Sequence, residues 1–352
     1  MDDPGYQTGE MYHVSFFGRW TTLMGMYIVN FFLSLVTFGI YSCWGRAKIR
    51  RYMCSQTELD GERFAYHGTG KELLLGMCKA ALILLPIGGA LLYFLPLHFA
   101  YAGTYAVVLV CIPYAMVSAM RYRLSRTSWR GIRFGFYGRA GEYYRLLLAG
   151  AVLTVLSFGV YIPYWRVRLR DFWLNNIAYG TLPLQYTGDG RELWKIYRPF
   201  WLLAFTAVAL LVGAAVLSAL HLLSPFAVPV MMLPAYLIYL GLMISWLWLV
   251  AAEQRYHWDN TYGAGAQFRY WITGGALMWR RFLYGLIMAL TAGLAYPWVQ
   301  VNQLEFFLSR LTLHGDLDLE AIEQAANTVG TGTAGEGVVD AMDIGGVDFG
   351  LG

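Results

Sequence analysis

Two short ladders of basic residues are the part of this sequence best suited to chemistry. The first is Arg46, Lys48 and Arg50, and the second is Arg166, Arg168 and Arg170. Each ladder follows a Gly-containing break in an apolar run, so the first charged residues appear directly after the point where the apolar segment is interrupted. One interpretation is a basic flank that contacts phosphate head groups of the bilayer. The other is an electropositive vestibule for an anionic solute or lipid.

The breaks are a second candidate site, because an interrupted helix exposes backbone groups that can bind ions or substrates. They recur as TFGIYSCW (37–44), SFGVYIPY (157–164) and TAGLAYPW (291–298), and the third copy lacks the basic ladder. Asn30, in the first apolar run, has two interpretations, a ligand site or a contact between helices. We predict helix-break or pore elements at Asn30, Gly39, Tyr41, Gly159, Tyr161 and Gly293.

The elements that must position these residues are long apolar runs. Hydrophobic residues make up 58% of the chain and charged residues only 14%, against about 25% charged in a typical soluble domain. Two charge-free stretches are long enough for two spans each. They predict helical hairpins at 77–95 with 101–120 and at 200–220 with 229–251. The fold class is therefore an α-helical integral membrane protein with lipid as its surroundings.

Three single apolar runs, 20–45, 146–165 and 282–304, admit two arrangements. If each crosses the bilayer, there are seven spans, and the basic segments 121–145 and 166–198 face opposite sides. If each re-enters, every basic segment is cytoplasmic. The turns of the two hairpins carry no Lys or Arg and are therefore predicted to be periplasmic. Length favours full spans and charge favours re-entrant runs, so both arrangements stay open.

Short β-hairpins are predicted between the apolar runs and on the cytoplasmic side. The copies GERFAYHGTGKELL (61–74), GIRFGFYGRAGEYY (131–144), GTLPLQYTGDGRELW (180–194) and GAQFRYWITGGALMW (265–279) alternate apolar residues before a Gly-rich turn. The chain thus divides into a polytopic membrane domain, 1–326, with internal repeats at about 12–141, 142–275 and 276–326, and a tail, 327–352. The tail is Gly-rich and acidic, which predicts a disordered cytoplasmic C-terminus that could bind a protein partner.

Catalytic motifs are missing from the sequence. GTGKE at 68–72 lacks the spacing of a phosphate-binding loop, and the four cysteines have no metal or redox spacing. We therefore expect no enzyme, no cofactor, no metal and no nucleic-acid partner.

Several of these segments together identify a family. The order VNFFLSLVTFGIYSCWGRAKIRRY, DGERFAYHGTGKELLLG, YRLSRTSWRGIRFGF, WDNTYGAGAQF and GTAGEGVVDAMDIG resembles the YjgN family over nearly the whole chain. This resemblance implies a multi-pass protein of the bacterial inner membrane whose function is uncharacterised, and it supplies no site residues.

Two function classes remain. The broken runs and basic ladders favour transport or channel-like activity for a small solute or lipid. The alternative is a non-catalytic membrane scaffold that recruits an envelope protein. The sequence does not determine the oligomeric state.

Overall fold

Helices dominate the computed structural model, which describes residues 11–220, 227–263 and 265–315. They follow one another in pairs separated by short strands. The pairs are α1 (Trp20–Val36) with α2 (Ser42–Ser55), α3 (Gly70–Phe94) with α4 (Leu97–Ser125), α5 (Ala140–Leu156) with α6 (Ile162–Asn175), α7 (Gly190–Ala219) with α8 (Ala227–Asp259), and α9 (Gly274–Leu290) with α10 (Tyr296–Leu308).

Two of these pairs are long. Helices α3, α4 and α7 and the Tyr236–Asp259 part of α8 are long and apolar enough to cross a membrane. They occupy the segments predicted as helical hairpins, and each extends beyond the predicted bounds. The predicted tail, 327–352, and most of the second hairpin turn, 221–226, lie outside the described residues. The protein is therefore mainly helical, with four candidate membrane spans.

The three short pairs are joined by the recurring Gly break, where the chain reverses. Gly39, Gly159 and Gly293 have φ values of +87°, +89° and +87°. Their amides donate to the carbonyl oxygens five residues earlier, at 2.7, 2.7 and 2.9 Å, which is the Schellman ending of a helix. The hydroxyl two residues before each Gly then accepts a hydrogen bond from the amide two residues after it. The pattern therefore encodes one helix end and the start of the next.

Close contacts show that each short pair folds back on itself. A Cβ added at Gly45 of α2 would lie 2.7 Å from Cγ of Asn30 in α1. In α5–α6 the same construction at Gly150 overlaps the indole of Trp165, and in α9–α10 the rings of Tyr284 and Trp298 are 5.9 Å apart. A continuous helix would separate such residues by roughly 20 Å.

Twelve short strands occur in the described residues. They are β1 (Met11–Phe16), β2 (Thr57–Leu59), β3 (Glu62–Arg63), β4 (Ala65–Tyr66), β5 (Thr127–Trp129), β6 (Ile132–Phe136), β7 (Ile177–Tyr179), β8 (Leu182–Pro183), β9 (Gln185–Tyr186), β10 (Thr261–Gly263), β11 (Ala266–Tyr270) and β12 (Leu311–His314). Every pairing is antiparallel, in the orders β3-β2-β1-β12-β11-β10-β9 and β4-β5-β6-β7-β8. Because β3 runs directly into β4 and β8 into β9, the two sheets join at both ends and the strands close into a ring.

The ring has one apolar and one polar face. Directly paired residues point to the same side of a sheet, and the pairs Val14–Leu59, Phe136–Ile177 and Tyr270–Leu311 lie on the apolar side. Aromatic rings from strands that are not neighbours meet there, since Trp129 lies 5.6 Å from Tyr179. The opposite face carries polar residues: His13, Glu58, Arg63, Arg133, Gln267 and Arg269.

The second helix of each pair holds most of the buried side chains, so α2, α4, α6, α8 and α10 form an inner layer. Trp258 of α8 lies 5.5 Å from Phe307 of α10, and Met53 of α2 shares a core cluster with Val301 of α10. The first helices are mostly exposed, as expected for surfaces that face lipid. Three of the polar residues discussed next, Arg166, Glu253 and His257, lie on this inner layer.

Candidate functional site

A buried carboxylate, with polar partners on neighbouring helices, is the candidate site. Glu253 lies on α8, and its side chain is only 6% exposed. One guanidinium nitrogen of Arg166, on α6, donates to both carboxylate oxygens at 2.8 Å. The hydroxyl of Tyr197, on α7, donates to the same carboxylate at 2.8 Å. Three helices therefore converge on one negative charge.

His257 extends this arrangement toward the strands. Its Nε2 lies 3.4 Å from Glu253, one helical turn away, and its Nδ1 lies 2.6 Å from the hydroxyl of Tyr186 on β9. Burial raises the pKa of Tyr186 above its usual value, so the phenol stays neutral. The consistent assignment has the phenol donating to Nδ1 and the Nε2–H donating to Glu253. We call Arg166, Tyr186, Tyr197, Glu253 and His257 the Glu253 cluster.

The Glu253 cluster is a continuous hydrogen-bonded chain from helix to strand. Glu253 is buried, whereas the Arg166 side chain is 37% exposed, so removal of one partner should cost toward the lower end of the roughly 3–5 kcal/mol of a fully buried pair. Arg170 lies one turn beyond Arg166, is buried, and has its guanidinium 5.1 Å from the ring of Trp258. Such a chain can hold or relay a proton, or can hold two helices together until an anion competes for the arginine.

Helical geometry divides the two basic ladders into inward and outward members. Residues four apart share a face of a helix, whereas residues two apart do not. Arg166 and Arg170 are accordingly the less exposed members of the second ladder, and Arg168 is exposed. In the first ladder Arg46 and Arg50 are half-buried and Lys48 is exposed. Arg168 lines a pocket of about 320 Å³ together with Tyr164, Asp171 and residues 188–190.

The predicted break elements lie in three separate hairpins. Asn30 is buried against Gly45, and neither of its amide atoms has a hydrogen-bond partner among the described residues. Tyr41 stacks on Trp44, and Tyr161 stacks on Tyr164 at ring distances of 6.4 and 5.9 Å. These residues therefore make local contacts, and the structure does not bring them to the Glu253 cluster.

The three breaks differ in what covers them. A Cβ at Gly39 or Gly293 would have no described atom within 4 Å, whereas one at Gly159 would lie 2.6 Å from the indole of Trp201 on α7. Phe38 and Phe158, beside the first two glycines, are 97% and 84% exposed. The tips of the short hairpins are thus apolar surfaces.

Sequence analysis did not single out Glu253, Tyr197, His257 or Tyr186. Glu253 directly follows a stretch, 199–252, that contains no Asp, Glu, Lys or Arg. The available signal was the spacing of Glu253 and His257, which places a carboxylate and an imidazole on one face of a predicted helix. The contact with Arg166 joins residues 87 positions apart, so no local sequence pattern predicts it.

Comparison with known proteins gives a consistent classification. A family model described as "Bacterial protein of unknown function (DUF898)" matches residues 11–341. The chain is 23% identical to the inner membrane protein YjgN of Salmonella typhimurium, over 83% of this chain and 85% of that protein. It is 22% identical to YjgN of Escherichia coli K12 over the same shares. No solved structure matches. The predicted resemblance and the prediction of a transmembrane protein of an uncharacterised family are confirmed.

Proposed function

Since the chain belongs to the DUF898 family of bacterial proteins, whose function is unknown, we propose from its geometry that it is an inner-membrane transport or channel-like protein for a small anionic solute or lipid. The observation that carries this proposal is the Glu253 cluster, whose buried carboxylate lies on the inner helix α8. Ionisable residues within membrane segments are rare and usually mark transport paths or proton relays.

The proposed topology places all strands on the cytoplasmic side and the turns at 95–100 and 221–228 in the periplasm. Helix α1 has 17 residues and is therefore about 25 Å long, less than the ~30 Å of the hydrocarbon core. The α1–α2 pair reverses chain direction at an apolar tip. Re-entrant hairpins of this length account for the apolar tips and keep all basic segments on one side.

This topology puts the charges of the return helices at membrane depth. Arg166 is the fifth residue of α6. At 1.5 Å per residue, it lies about 7 Å from the Gly break along the helix axis. The hydrogen bonds to Glu253 offset the cost of placing the Arg166 charge inside the membrane. An anion that competes for Arg166 would release α6 from α8. We propose this exchange as the step that couples solute binding to helix movement.

The scaffold alternative is favoured by a different observation. Asn30, Tyr41 and Tyr161 each contact only residues of their own hairpin. Residues with a purely structural role in a scaffold would make such contacts, whereas residues of a transport path would line a shared cavity. In that alternative the polar face of the strand ring would receive an envelope partner, and the Glu253 cluster would only hold helices together.

Anion flux into proteoliposomes tests the two functions. We expect flux for at least one member of a panel of inorganic phosphate, small carboxylates and anionic lipids, and a change of at least about tenfold in Glu253→Gln. The matched control is Glu192→Gln, because Glu192 pairs with Lys195 on the exposed surface. Absence of flux in the wild type across the whole panel would move the assignment to the scaffold.

Thiol labelling tests the topology. In a background without the four native cysteines, we expect Glu62→Cys and Thr181→Cys, at two strand turns, to resist an impermeant reagent added to intact cells. Leu97→Cys, at the turn of the first long hairpin, should react. Labelling of only one of the two strand-turn positions would establish seven full spans instead.

A further inference from the structure

Four inner helices carry an equivalent position near the loop that precedes the next outer helix. These positions, each followed 17 residues later by a loop residue, are Arg51 with Gly68, Arg121 with Gly138, Asp171 with Gly188 and Arg255 with Ile272. In the first copy the guanidinium of Arg51 donates to the carbonyl oxygen of Gly68 at 3.3 Å. In the second copy Arg121 donates to the carbonyl oxygen of Gly138 at 2.8 Å. The third copy has a carboxylate, Asp171, in place of the arginine.

Glycine contacts show that the loops of the first and third copies lie against their inner helices in the same way. A Cβ added at Gly70 would lie 2.5 Å from the ring of Trp44. One added at Gly190 would lie 2.5 Å from the ring of Tyr164. In both copies a Cβ two residues before this glycine would also overlap the hydroxyl of a tyrosine. The third copy therefore combines the same backbone arrangement with a shorter, oppositely charged side chain.

A pocket lies in the third copy where this exchange occurs. It has a volume of about 320 Å³, at the lower end of the roughly 300–1,000 Å³ of ligand pockets. We call it the Asp171 pocket, and it is lined by Tyr164, Val167, Arg168, Asp171, Gly188, Asp189 and Gly190. Its three charged residues are exposed, so a ligand can reach them from outside.

The charged groups of the Asp171 pocket keep free hydrogen-bonding capacity. One carboxylate oxygen of Asp171 accepts from the side-chain amide of Asn175. One of Asp189 accepts from the amide of Arg191 at 3.1 Å. Within the described part of the chain, neither aspartate forms an ion pair, and Arg168 forms none either. Arg168 and Asp171 are three residues apart on α6 and so share one face of that helix. A cation and an anion of one ligand can therefore be bound side by side.

We propose that the Asp171 pocket binds a small zwitterion. Its ammonium group is bound by Asp171 and the carbonyl oxygen of Gly188, and its anionic group by Arg168. In the first two copies a guanidinium of the chain itself donates to the corresponding carbonyl, so the ligand supplies the cationic donor that the third copy lacks. Ion-assisted hydrogen bonds of this kind are stronger than neutral ones, and the ring of Tyr164 offers a further surface to an ammonium group.

Two sources share this chemistry: the head group of an ethanolamine-type phospholipid and a free zwitterionic solute that carries an amine and a phosphate. The proposal concerns binding to the pocket and is independent of the transport function, because binding is measured without flux.

Calorimetric titration of the purified full-length protein with O-phosphoethanolamine, in a buffer free of amines, tests the proposal. We expect binding to the wild type and an affinity at least about tenfold lower in Asp171→Asn, because a hydrogen bond to a charged group contributes more than a neutral one. Glu192→Gln is the matched control. Glu192 lies in the first turn of α7 but does not line the pocket, so its change should leave the affinity unaltered.

Asp171→Arg guards against a folding defect. It restores the residue found in the other three copies, so the melting temperature should be kept or raised while O-phosphoethanolamine binding is lost. Arg168→Gln should weaken the binding of O-phosphoethanolamine but not that of ethanolamine, which has no anionic group for the arginine to bind.

A second arm separates the two sources. Nanodiscs of phosphatidylethanolamine should raise the melting temperature of the wild type, relative to nanodiscs of phosphatidylglycerol, and should not do so for Asp171→Arg. A response to the lipid alone supports the head group, and a response to the soluble compound supports the free solute. No response in either arm would overturn the proposal. So would wild-type affinity in Asp171→Arg, or inorganic phosphate binding as tightly as O-phosphoethanolamine, since the carboxylate would then have no part in recognition.

Discussion

Both halves of this protein use an acid that binds an arginine and a tyrosine, but the two acids lie on different helices. In the second half a buried acid draws α6, α7 and β9 together around α8. In the first half, α4 carries Arg121-Tyr122-Arg123 where α8 carries Arg255-Tyr256-His257, so Ala119 takes the position of Glu253. The acid that joins helices there is Glu72, at the start of α3 and 30% exposed. The comparison teaches that a repeated scaffold can hold one acid buried within a helix and the other partly exposed at the start of a helix.

Removal of the buried acid should have the largest effect. Glu253→Ala leaves the hydroxyl of Tyr197 without its acceptor and Arg166, whose side chain is 37% exposed, without its carboxylate. Because water reaches the arginine, we expect the free energy of unfolding to fall by about 3 kcal/mol, the lower end of the range for a buried pair. Thermal unfolding in detergent measures this loss. Glu192→Ala is the control, because an exposed pair contributes about 0–1 kcal/mol. If both variants lose the same stability, the two halves do not differ as described.

The surface acid of the first half should contribute less. Glu72→Ala removes the bonds to Arg126 and Tyr122 and the capping-box bond that the Glu72 carboxylate accepts from the Thr69 amide. We expect a loss of about 1–3 kcal/mol, the usual consequence of unpaired, partly buried polar partners. Glu72→Gln should restore part of it, since the amide still accepts from Tyr122. A loss as large as that of Glu253→Ala would contradict the distinction between a buried acid and a partly exposed one.

The Gly breaks test whether the halves share one backbone conformation. Gly39→Ala and Gly25→Ala both add a methyl group to open space, but only Gly39 has a positive φ. We expect Gly39→Ala to lose about 1–2 kcal/mol and Gly25→Ala to lose nothing, because Ala favours a helix. Gly159→Ala should lose more than Gly39→Ala, because Trp201 adds a clash. Equal losses at Gly39 and Gly25 would mean that φ imposes no strain there.

The outline of the fold was predictable because its signals are local. Charge-free length predicted the long hairpins, and the recurring Thr/Ser-x-Gly pattern predicted where helices break. The paired polar centre was not predictable, because Glu253 and Arg166 meet only after α6 folds back beside α8. The same holds for the closed ring, since β1 pairs with β12 from the other end of the described chain. Sequence analysis treated every second residue of a basic ladder as one group. On a helix, Arg168 faces away from Arg166 and Arg170.

The smallest expected effect concerns the link between neighbouring strand turns. Arg130, at the β5–β6 turn, donates to Asp60, at the β2–β3 turn, at 2.8 Å, and both side chains are more than a third exposed. Water screens such a pair, so Asp60→Asn should cost only about 0.2–1 kcal/mol, and the loss should shrink further at high salt. Unfolding at two salt concentrations measures it. A loss that is large and independent of salt would mean that the ring turns are buried, for instance against another protein, and would favour the scaffold over transport.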